Sequence, residues 1–192
     1  HTAGSRLVTA RLRAQAEAQE GASLSPSVEP FSGLVAPDFT FQIGGGRQQT
    51  LKSLRGKAIV HLVLYTLPES LDRLRQIAAA SAEFARSGVR TIALPIGESP
   101  PPTDLPAAAS MLAAPDAGTV ATYMLYRRLP NDPAPPPPTH IEFLIDRAGY
   151  LRARWMPGAG DGWSDLSRLK EEIERLASEP ARPPAPEGHV HG

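Results

Sequence analysis

The stretch Lys57-Ala-Ile-Val-His-Leu-Val-Leu-Tyr-Thr-Leu-Pro-Glu-Ser-Leu-Asp-Arg-Leu-Arg-Gln-Ile77 runs from an apolar segment through a short turn into an amphipathic one. Residues 58–65 are apolar on both faces of the pleat except at His61, which is typical of a strand covered on both sides. Apolar residues then recur at helical spacing from Leu71 to Ile77, after a Pro and a Glu of the kind that helix starts prefer. The pattern predicts a central strand that passes through an elbow directly into a helix. In many α/β proteins such an elbow holds the chemistry.

Composition limits the size of the core and the kinds of partner. With 192 residues and 41% hydrophobic content, the chain can bury one hydrophobic core, but it is short for two full domains. Lys plus Arg equals Asp plus Glu, at 20 each, and no basic face interleaved with aromatics is visible, which argues against nucleic acid or an anionic membrane surface as partner. No apolar run approaches the ~20 residues of a membrane span, and no signal peptide is expected, so we expect a soluble chain.

The chain contains no cysteine. A disulfide framework, a Cys-ligated zinc or iron–sulfur site and a thiol nucleophile are therefore excluded, and thiol redox chemistry with them. The absence suits the cytosol and the periplasm equally, so it does not decide the compartment.

The order of the predicted elements places one domain between two tails. Residues 1–34 are expected to form a solvated helix, which serves as a linker or binds a partner, followed by an extended arm. Residues 178–192 are Pro-rich and expected to be disordered. The domain between them, residues 35–177, is predicted to contain an N-terminal hairpin, the central strand with its helix, a parallel second strand over 89–96, short helices over 107–129, an extended Pro-rich stretch, a strand hairpin over 141–155 and a final helix over 164–176.

Three motifs in this order resemble the thioredoxin-like fold in its TlpA, AhpC and SCO branch. They are Ala36-Pro-Asp-Phe-Thr-Phe41, Leu54-Arg-Gly-Lys57 and Phe143-Leu-Ile-Asp-Arg-Ala-Gly-Tyr150. The resemblance covers roughly residues 35–177. It implies an α/β three-layer sandwich with a central mixed sheet and an N-terminal β-hairpin extension.

The resemblance also locates a vestigial active site. Redox-active relatives carry a Trp-Cys-Pro-Pro-Cys run at the elbow, where a helix N-terminus lowers the thiol pKa. The matching positions here are Thr66, Leu67, Pro68, Glu69 and Ser70, so both reactive sulfurs are missing, at Leu67 and at Ser70.

A second departure from the family pattern lies just before the third strand of the sheet. The cis-proline of the family falls on His140, with Pro138 two residues earlier. This leaves a cis peptide bond at that position in doubt. It also predicts an imidazole beside the vacant elbow.

A narrower resemblance suggests a setting. The runs from Leu67 to Leu74 and from Pro138 to Trp155, together with the tail from Glu187 to His191, are similar to the redoxin-type domain fused behind CopD-like copper-resistance membrane proteins. This similarity implies a periplasmic location, with the signal and the membrane spans upstream of residue 1.

The histidines are the candidate metal ligands. SCO-like copper chaperones use a histidine in the loop before this strand together with two cysteines, which suggests copper at His140. A single imidazole makes a poor site, and a structural role for His140, hydrogen-bonded to backbone near the elbow, is the competing interpretation. His61 is expected to be a buried, hydrogen-bonded core residue. His189 and His191 form a His-x-His pair that predicts either weak capture of Cu(II) or Zn(II) or no ligand at all.

The polar residues of the elbow allow a catalytic or a structural interpretation. Glu69 and Ser70 can be imagined as an acid and a nucleophile, but no second carboxylate or histidine is tied to them in the sequence. We therefore expect the Ser70 hydroxyl to cap the helix that follows.

The polar residues of the strand hairpin also allow two readings. Glu142 and Asp146 share a strand face by period alone, and Asp146 is predicted to be a turn residue. Arg152 and Arg154 fit an anion or a partner's carboxylate, or simply a solvated strand face, which we favour. Trp155 is expected to close the core near the last helix.

These observations lead to one functional hypothesis and two alternatives. We expect a redox-inactive binding or structural module, periplasmic and linked to copper resistance, that requires no cofactor, is not an enzyme, and binds a membrane protein or a copper-handling protein. One alternative is an SCO-like copper chaperone that uses His140 with His189 and His191. The other is a thiol-independent member of a redoxin or peroxidase-like family.

Overall fold

The computed structural model describes residues 33–100, 102–128, 136–157 and 166–186. Residues 1–32 of the N-terminal helix and arm predicted over 1–34, and the histidine pair at His189 and His191, lie outside the described residues. The strands and α-helices of the described residues are β1 (Thr40–Phe41), β2 (Gln49–Thr50), β3 (Ile59–Tyr65), α1 (Leu71–Arg86), β4 (Val89–Pro95), α2 (Ala117–Met124), β5 (Ile141–Ile145), β6 (Leu151–Trp155) and α3 (Ser167–Ser178).

The main sheet is mixed and has the strand order β4-β3-β5-β6. β3 pairs in parallel with β4, and α1 makes the crossover between them, as the βαβ prediction requires. β5 pairs antiparallel with both β3 and β6. The predicted central strand is therefore confirmed: β3 has a hydrogen-bonded neighbour on each side, and all seven of its residues are buried.

Two apolar layers cover the sheet, because successive side chains of a strand point to opposite faces. On one face, Val63 and Ala93 of the sheet pack with residues of α1 and α3. On the other, Leu62 and Ile92 pack with the small β1–β2 hairpin and with α2. This arrangement confirms the three-layer α/β sandwich and its N-terminal hairpin.

The helix α1 begins at the elbow and ends at a glycine, as predicted. Its inner face buries Leu74, Ile77 and Phe84 completely or nearly so; each such side chain contributes about 1.5–3 kcal/mol relative to exposure. Gly88 follows with φ of +76°, a left-handed conformation that glycine adopts without the penalty of a Cβ. The positions of β3, α1 and β4 relative to the elbow are thereby fixed.

The first part of the C-terminal tail differs from the expectation of disorder after residue 177. Helix α3 continues to Ser178, and the irregular segment that follows packs on the domain. Ala185 is buried, its N–H donates to the carbonyl of Ala148, and its own carbonyl accepts from Arg55. The guanidinium of Arg182 lies 4.1 Å from the centre of the Tyr150 ring. These contacts attach the chain to the domain as far as residue 186. A Pro-rich composition does not predict them.

Within the described part of the chain, no helix is both long and apolar enough to cross a bilayer.

Candidate functional site

The elbow is a tight turn that is bound to the segment before β5. Tyr65 ends β3, and the N–H of Ser70 donates to the carbonyl of Thr66 at 2.8 Å just before α1 begins. The Thr66 hydroxyl donates to the carbonyl of Thr139 at 2.6 Å. The peptide bond between Leu67 and Pro68 is cis. Thr66 therefore ties the turn to the residue that precedes His140.

Five polar side chains meet beneath this turn, and we call them the buried polar cluster. All of them are between 0% and 2% exposed. The members are His61 of β3, Ser70 and Arg73 at the start of α1, His140 before β5, and Glu142 of β5.

The Ser70 hydroxyl connects the turn to the cluster. Its Oγ accepts from the N–H of Thr66 at 3.0 Å and lies 2.7 Å from Nδ1 of His140. Although Ser70 occupies the N-cap position of α1, its side chain makes no capping hydrogen bond. The capping prediction was therefore wrong, because the hydroxyl turns back toward β3 and the imidazole instead of toward the first turn of the helix.

Glu142 is the centre of the cluster. Its Oε1 lies 2.7 Å from Nε2 of His61, and its Oε2 lies 2.7 Å from Nε2 of His140. Arg73 donates from Nε to Oε2 at 2.8 Å and from Nη2 to Oε1 at 3.1 Å. The carboxylate thus receives a two-pronged guanidinium and two imidazoles, which is the charge-assisted arrangement with the strongest hydrogen bonds.

These partners decide the charge state of Glu142. Burial by itself would raise the pKa of this carboxyl, since desolvation disfavours the charged form. The positive charge of Arg73 and the hydrogen bonds from His140 and His61 more than offset that effect and hold the pKa of Glu142 well below its usual range. The cluster is therefore built around a carboxylate that stays ionised.

The Trp155 ring covers one side of the cluster. The guanidinium carbon of Arg73 lies 4.1 Å from the centre of the Trp155 ring, within cation–π range. Trp155 also contacts His140 edge to face, at 5.7 Å between ring centres, and it is buried in the core as predicted. On the far side, the Thr91 hydroxyl lies 3.5 Å from Nδ1 of His61.

Both histidines lie where the sequence predicted, His61 in the core and His140 beside the elbow, but the charged pair that joins them was not predicted. His61 is a buried, satisfied histidine, as expected. His140 does have a structural set of contacts, and these include the Ser70 and Glu142 side chains. Arg73 and Glu142 were not predicted to meet.

A signal for this pair was present in the sequence. Arg73 lies four residues before Ile77, on the apolar stripe of α1, and Glu142 stands between Ile141 and Phe143 in a strand that is apolar on both faces. A charge in either position is buried, and a buried charge needs a partner.

The chemistry available to the cluster is limited by its burial. With Glu142 ionised, Nε2 of His140 donates to it, and Nδ1 of the same ring lies within hydrogen-bond distance of the Ser70 hydroxyl. This is the order of a serine–histidine–acid relay, although the two ring nitrogens are exchanged relative to the familiar serine hydrolases. A nucleophile must also be open to its substrate, and Ser70 is fully buried. The arrangement therefore holds the elbow in place.

Metal ligation by His140 faces the same obstacle. Both of its ring nitrogens already have hydrogen-bond partners, and the Arg73 cation occupies one side of Glu142. Within the described ranges, no group of three or more His, Cys, Asp or Glu side chains is arranged to hold a metal ion. The elbow's remaining acidic residue, Glu69, is exposed.

The strand hairpin holds a second charged group, which corrects the prediction of a solvated face. Arg152 is buried and donates to Asp146 at 3.0 Å and to both oxygens of Glu179 at 2.6 Å. The hydrogen bonds from Arg152 hold the pKa of Glu179 below its usual range. Arg154 donates to the carbonyl of Tyr126. Arg152 is covered by the end of α3 and the segment after it, whereas Arg154 is covered by the segment that contains Tyr126. A register shift in the pairing of β5 with β6 separates the two arginines.

Asp146 is a turn residue, as predicted. Its Oδ1 accepts from the N–H of Tyr150 at 2.9 Å, while its Oδ2 pairs with Arg152 and Arg182. Asp146 therefore closes the turn and anchors the tail together.

Comparison with known proteins identifies the fold. No family model matches the sequence, and none of the curated proteins matches it either. Among solved structures, a putative thiol:disulfide interchange protein DsbE from Chlorobium tepidum is similar with a TM-score of 0.54 and 16% identity, over 76% of this chain and 97% of that one. Peroxiredoxin Q from Xanthomonas campestris gives 0.54 and 12%, over 80% and 97%.

A third similar structure is BsSco, described as a member of the Sco family of cytochrome c oxidase assembly proteins. Its TM-score is 0.52 with 13% identity, over 80% of this chain and 99% of that one. Identities this low establish the fold and nothing finer. The chain has a thioredoxin-like fold, its structural neighbours are redoxins of the disulfide-exchange, peroxiredoxin and Sco types, and it carries no cysteine with which to perform thiol chemistry.

Proposed function

We propose that the chain is a redox-inactive thioredoxin-like module that binds a protein partner. The observation that carries this proposal is the state of the elbow: Leu67 and Ser70 stand where the resemblance puts the two reactive sulfurs, and Ser70 is locked to His140 inside the buried polar cluster. The cluster occupies the inner side of the turn with side chains that satisfy one another's hydrogen bonds, so these side chains stabilise the turn.

The outer side of the elbow is the surface proposed for the partner. Leu67 is half-buried, while Pro68 and Glu69 are exposed side by side. The turn behind them is fixed by the hydrogen bonds of Ser70 and Thr66. A rigid loop loses little conformational entropy on binding, which favours recognition of a partner without any reaction.

We further propose an extracytoplasmic setting, the periplasm, with a link to copper resistance and a CopD-like membrane protein as partner. Support comes from the sequence resemblance of the segments around Leu67 and Pro138. It also comes from the kinds of protein that share the fold, which include a putative thiol:disulfide interchange protein and a member of the Sco family of cytochrome c oxidase assembly proteins. No resident cofactor is required by this proposal.

A thiol assay with a restored elbow tests the redox part. With the wild-type chain, we expect the rates of insulin reduction and of peroxide consumption to be no higher than in buffer alone. A Leu67→Cys/Ser70→Cys variant serves as the control, because correctly placed sulfurs should join in an intramolecular disulfide, seen as a loss of two hydrogens by mass spectrometry. Turnover by the wild type contradicts the proposal. Failure of the restored cysteines to pair contradicts the assignment of the elbow.

Copper titration separates the module from the chaperone alternative. Because both ring nitrogens of His140 are engaged, we expect no copper binding tighter than micromolar and no difference between wild type and His140→Ala. Spectroscopy of Cu(I) and Cu(II) titrations on both proteins measures this. Tight binding that is lost in His140→Ala would establish the chaperone, whereas tight binding lost only in His189→Ala/His191→Ala would assign the metal to the tail.

A further inference from the structure

The β4 strand forms one edge of the main sheet, and half of this edge is open. Ala93 uses its outward main-chain groups: its N–H donates to Met111, and its carbonyl accepts from Ala113. Alternate residues of a strand face the same neighbour, so the main-chain groups of Val89 and Thr91 point the same way as those of Ala93. Within the described residues these groups have no hydrogen-bond partner. The segment that covers Ala93 leaves the first three residues of β4 uncovered.

A cavity of about 420 Å³ lies along this open edge, and we call it the edge groove. Its floor is Val89–Thr91, its walls include Gln49 of the hairpin and Ala85 of α1, and Met111 closes one end. The size falls within the usual range of ligand sites. In the parallel pairing, Val89–Thr91 are opposite Ile59–His61, whereas the elbow follows Tyr65 at the other end of β3. The edge groove is therefore separate from the elbow.

One cation faces the edge groove without a counter-charge. Arg90 lines the groove, its Nε is buried, and that atom has no hydrogen-bond partner. Neither Asp nor Glu lines the groove, and across the described ranges Arg90 takes part in no ion pair. The lining of the groove also includes the hydroxyl residues Ser81 and Ser110. The groove thus offers main-chain pairing along its floor and one unsatisfied positive charge.

The two faces of β4 determine what an added strand would look like. Ile92 packs on the hairpin side of the sheet and Ala93 on the α1 side, so Arg90 lies on the hairpin side by alternation. A strand that pairs with β4 would place one of its side chains opposite Arg90. The residues before and after that one in the added strand would point to the α1 side, next to Ala85 and Val89. Charge complementarity makes the first of these acidic, and the apolar wall makes the other two apolar.

We propose that the edge groove binds a short extended peptide segment of a partner protein, with the pattern apolar–acidic–apolar, by strand addition to β4 at Val89–Thr91. Main-chain hydrogen bonds to the open edge supply affinity, and the carboxylate on Arg90 supplies specificity and register. This surface is additional to the elbow and does not depend on the redox proposal.

Titration of the full chain, labelled with ¹⁵N, tests this by nuclear magnetic resonance. The probes are acetyl-valyl-glutamyl-valine amide and its glutaminyl counterpart. We expect both peptides to shift the amide signals of Val89 and Thr91, and the glutamyl peptide to bind about tenfold more tightly, as a charge-assisted hydrogen bond would give. In Arg90→Gln the two peptides should bind equally. The matched control is Arg86→Gln, an exposed arginine at the end of α1, in which the preference should remain.

Three results would overturn the proposal. They are equal binding of both peptides by the wild type, loss of the preference in Arg86→Gln as well, and signal shifts confined to residues outside the edge groove. A further probe examines the pairing itself: the glutamyl peptide with N-methylated main-chain amides should bind at least tenfold more weakly, and unchanged binding would mean that only the carboxylate is recognised. Because the thiol assay is independent of these titrations, either proposal can fail alone.

Discussion

Replacing Glu142 by glutamine removes the negative charge that Arg73 and two histidines contact. The amide keeps the shape of the carboxylate, but one acceptor oxygen becomes an NH2 group that faces donors. Arg73, which is 2% exposed, then retains a buried positive charge without its counter-ion. Breaking a buried pair by removing one partner costs about 3–5 kcal/mol, and we expect that loss in the free energy of unfolding.

A double-mutant cycle isolates the pair. Arg73→Met replaces the cation by an apolar chain that can still contact Trp155. In the double variant Arg73→Met/Glu142→Gln, no buried charge remains unpaired, so the loss should be smaller than the sum of the two single losses by about 1–3 kcal/mol. Chemical denaturation followed by circular dichroism and tryptophan fluorescence gives all four stabilities, since Trp155 contacts Arg73 directly.

The exposed pair between Glu83 and Lys170 provides the control. Their N–O distance is 3.1 Å and their side chains are 50% and 39% exposed, so Glu83→Gln should change stability by less than about 1 kcal/mol. If Glu142→Gln costs no more than Glu83→Gln, or if the two cluster substitutions are additive, the reasoning from the buried charge is refuted.

Three further outcomes follow from the same contacts. Because the pKa of Glu142 is lowered in the folded state, its ionisation stabilises the fold above the unfolded pKa of about 4.3, and this contribution is lost as pH falls further; from about pH 5 to pH 3 the wild type should lose stability more steeply than Glu142→Gln in denaturation at each pH. Ser70→Ala removes a hydroxyl that pairs with His140, and should lower the free energy of unfolding by about 1–3 kcal/mol. Gly149→Ala should destabilise by about 1–3 kcal/mol in thermal unfolding, because φ is +99° and a Cβ would lie 2.6 Å from Nε of Arg55.

Control variants and contradicting outcomes can be given for these three predictions. Gly33→Ala is the control for Gly149→Ala, since a Cβ at Gly33 meets no atom within 4 Å; equal losses in the two would show that the close approach does not matter. Ser87→Ala, at the other end of α1, is the control for Ser70→Ala. Parallel pH profiles for wild type and Glu142→Gln would mean that the acid lability arises elsewhere.

The elements that could be predicted from the sequence are those that local pattern determines. The doubly apolar run from Ile59 to Tyr65 and the helical spacing after Leu71 specify a central strand and its helix within some thirty residues, and Gly88 ends the helix through its own backbone preference. The order of these elements then indicated the fold, since a parallel strand pair with one crossover helix leaves few topologies.

The contacts that could not be predicted depend on residues distant in the chain. Arg73 and Glu142 are 69 positions apart and meet only because β5 pairs with β3 in a particular register. Arg152 was expected in solvent because its partner Glu179 lies 27 positions away, in the segment that was expected to be disordered. Ser70 had a local role available, the cap, and a distant one, His140; the distant one prevailed because the hydroxyl is buried.

The engagement of Ser70 makes a thiol at this position hard to introduce by a single mutation. A cysteine at this position would carry a larger atom that accepts hydrogen bonds weakly, leaving the Thr66 amide and the His140 ring poorly paired inside the core. Restoring only the other sulfur, at Leu67, would give a thiol with no companion. Neighbours that fit a hydroxyl can therefore keep a reactive thiol out of a position that the backbone alone would allow.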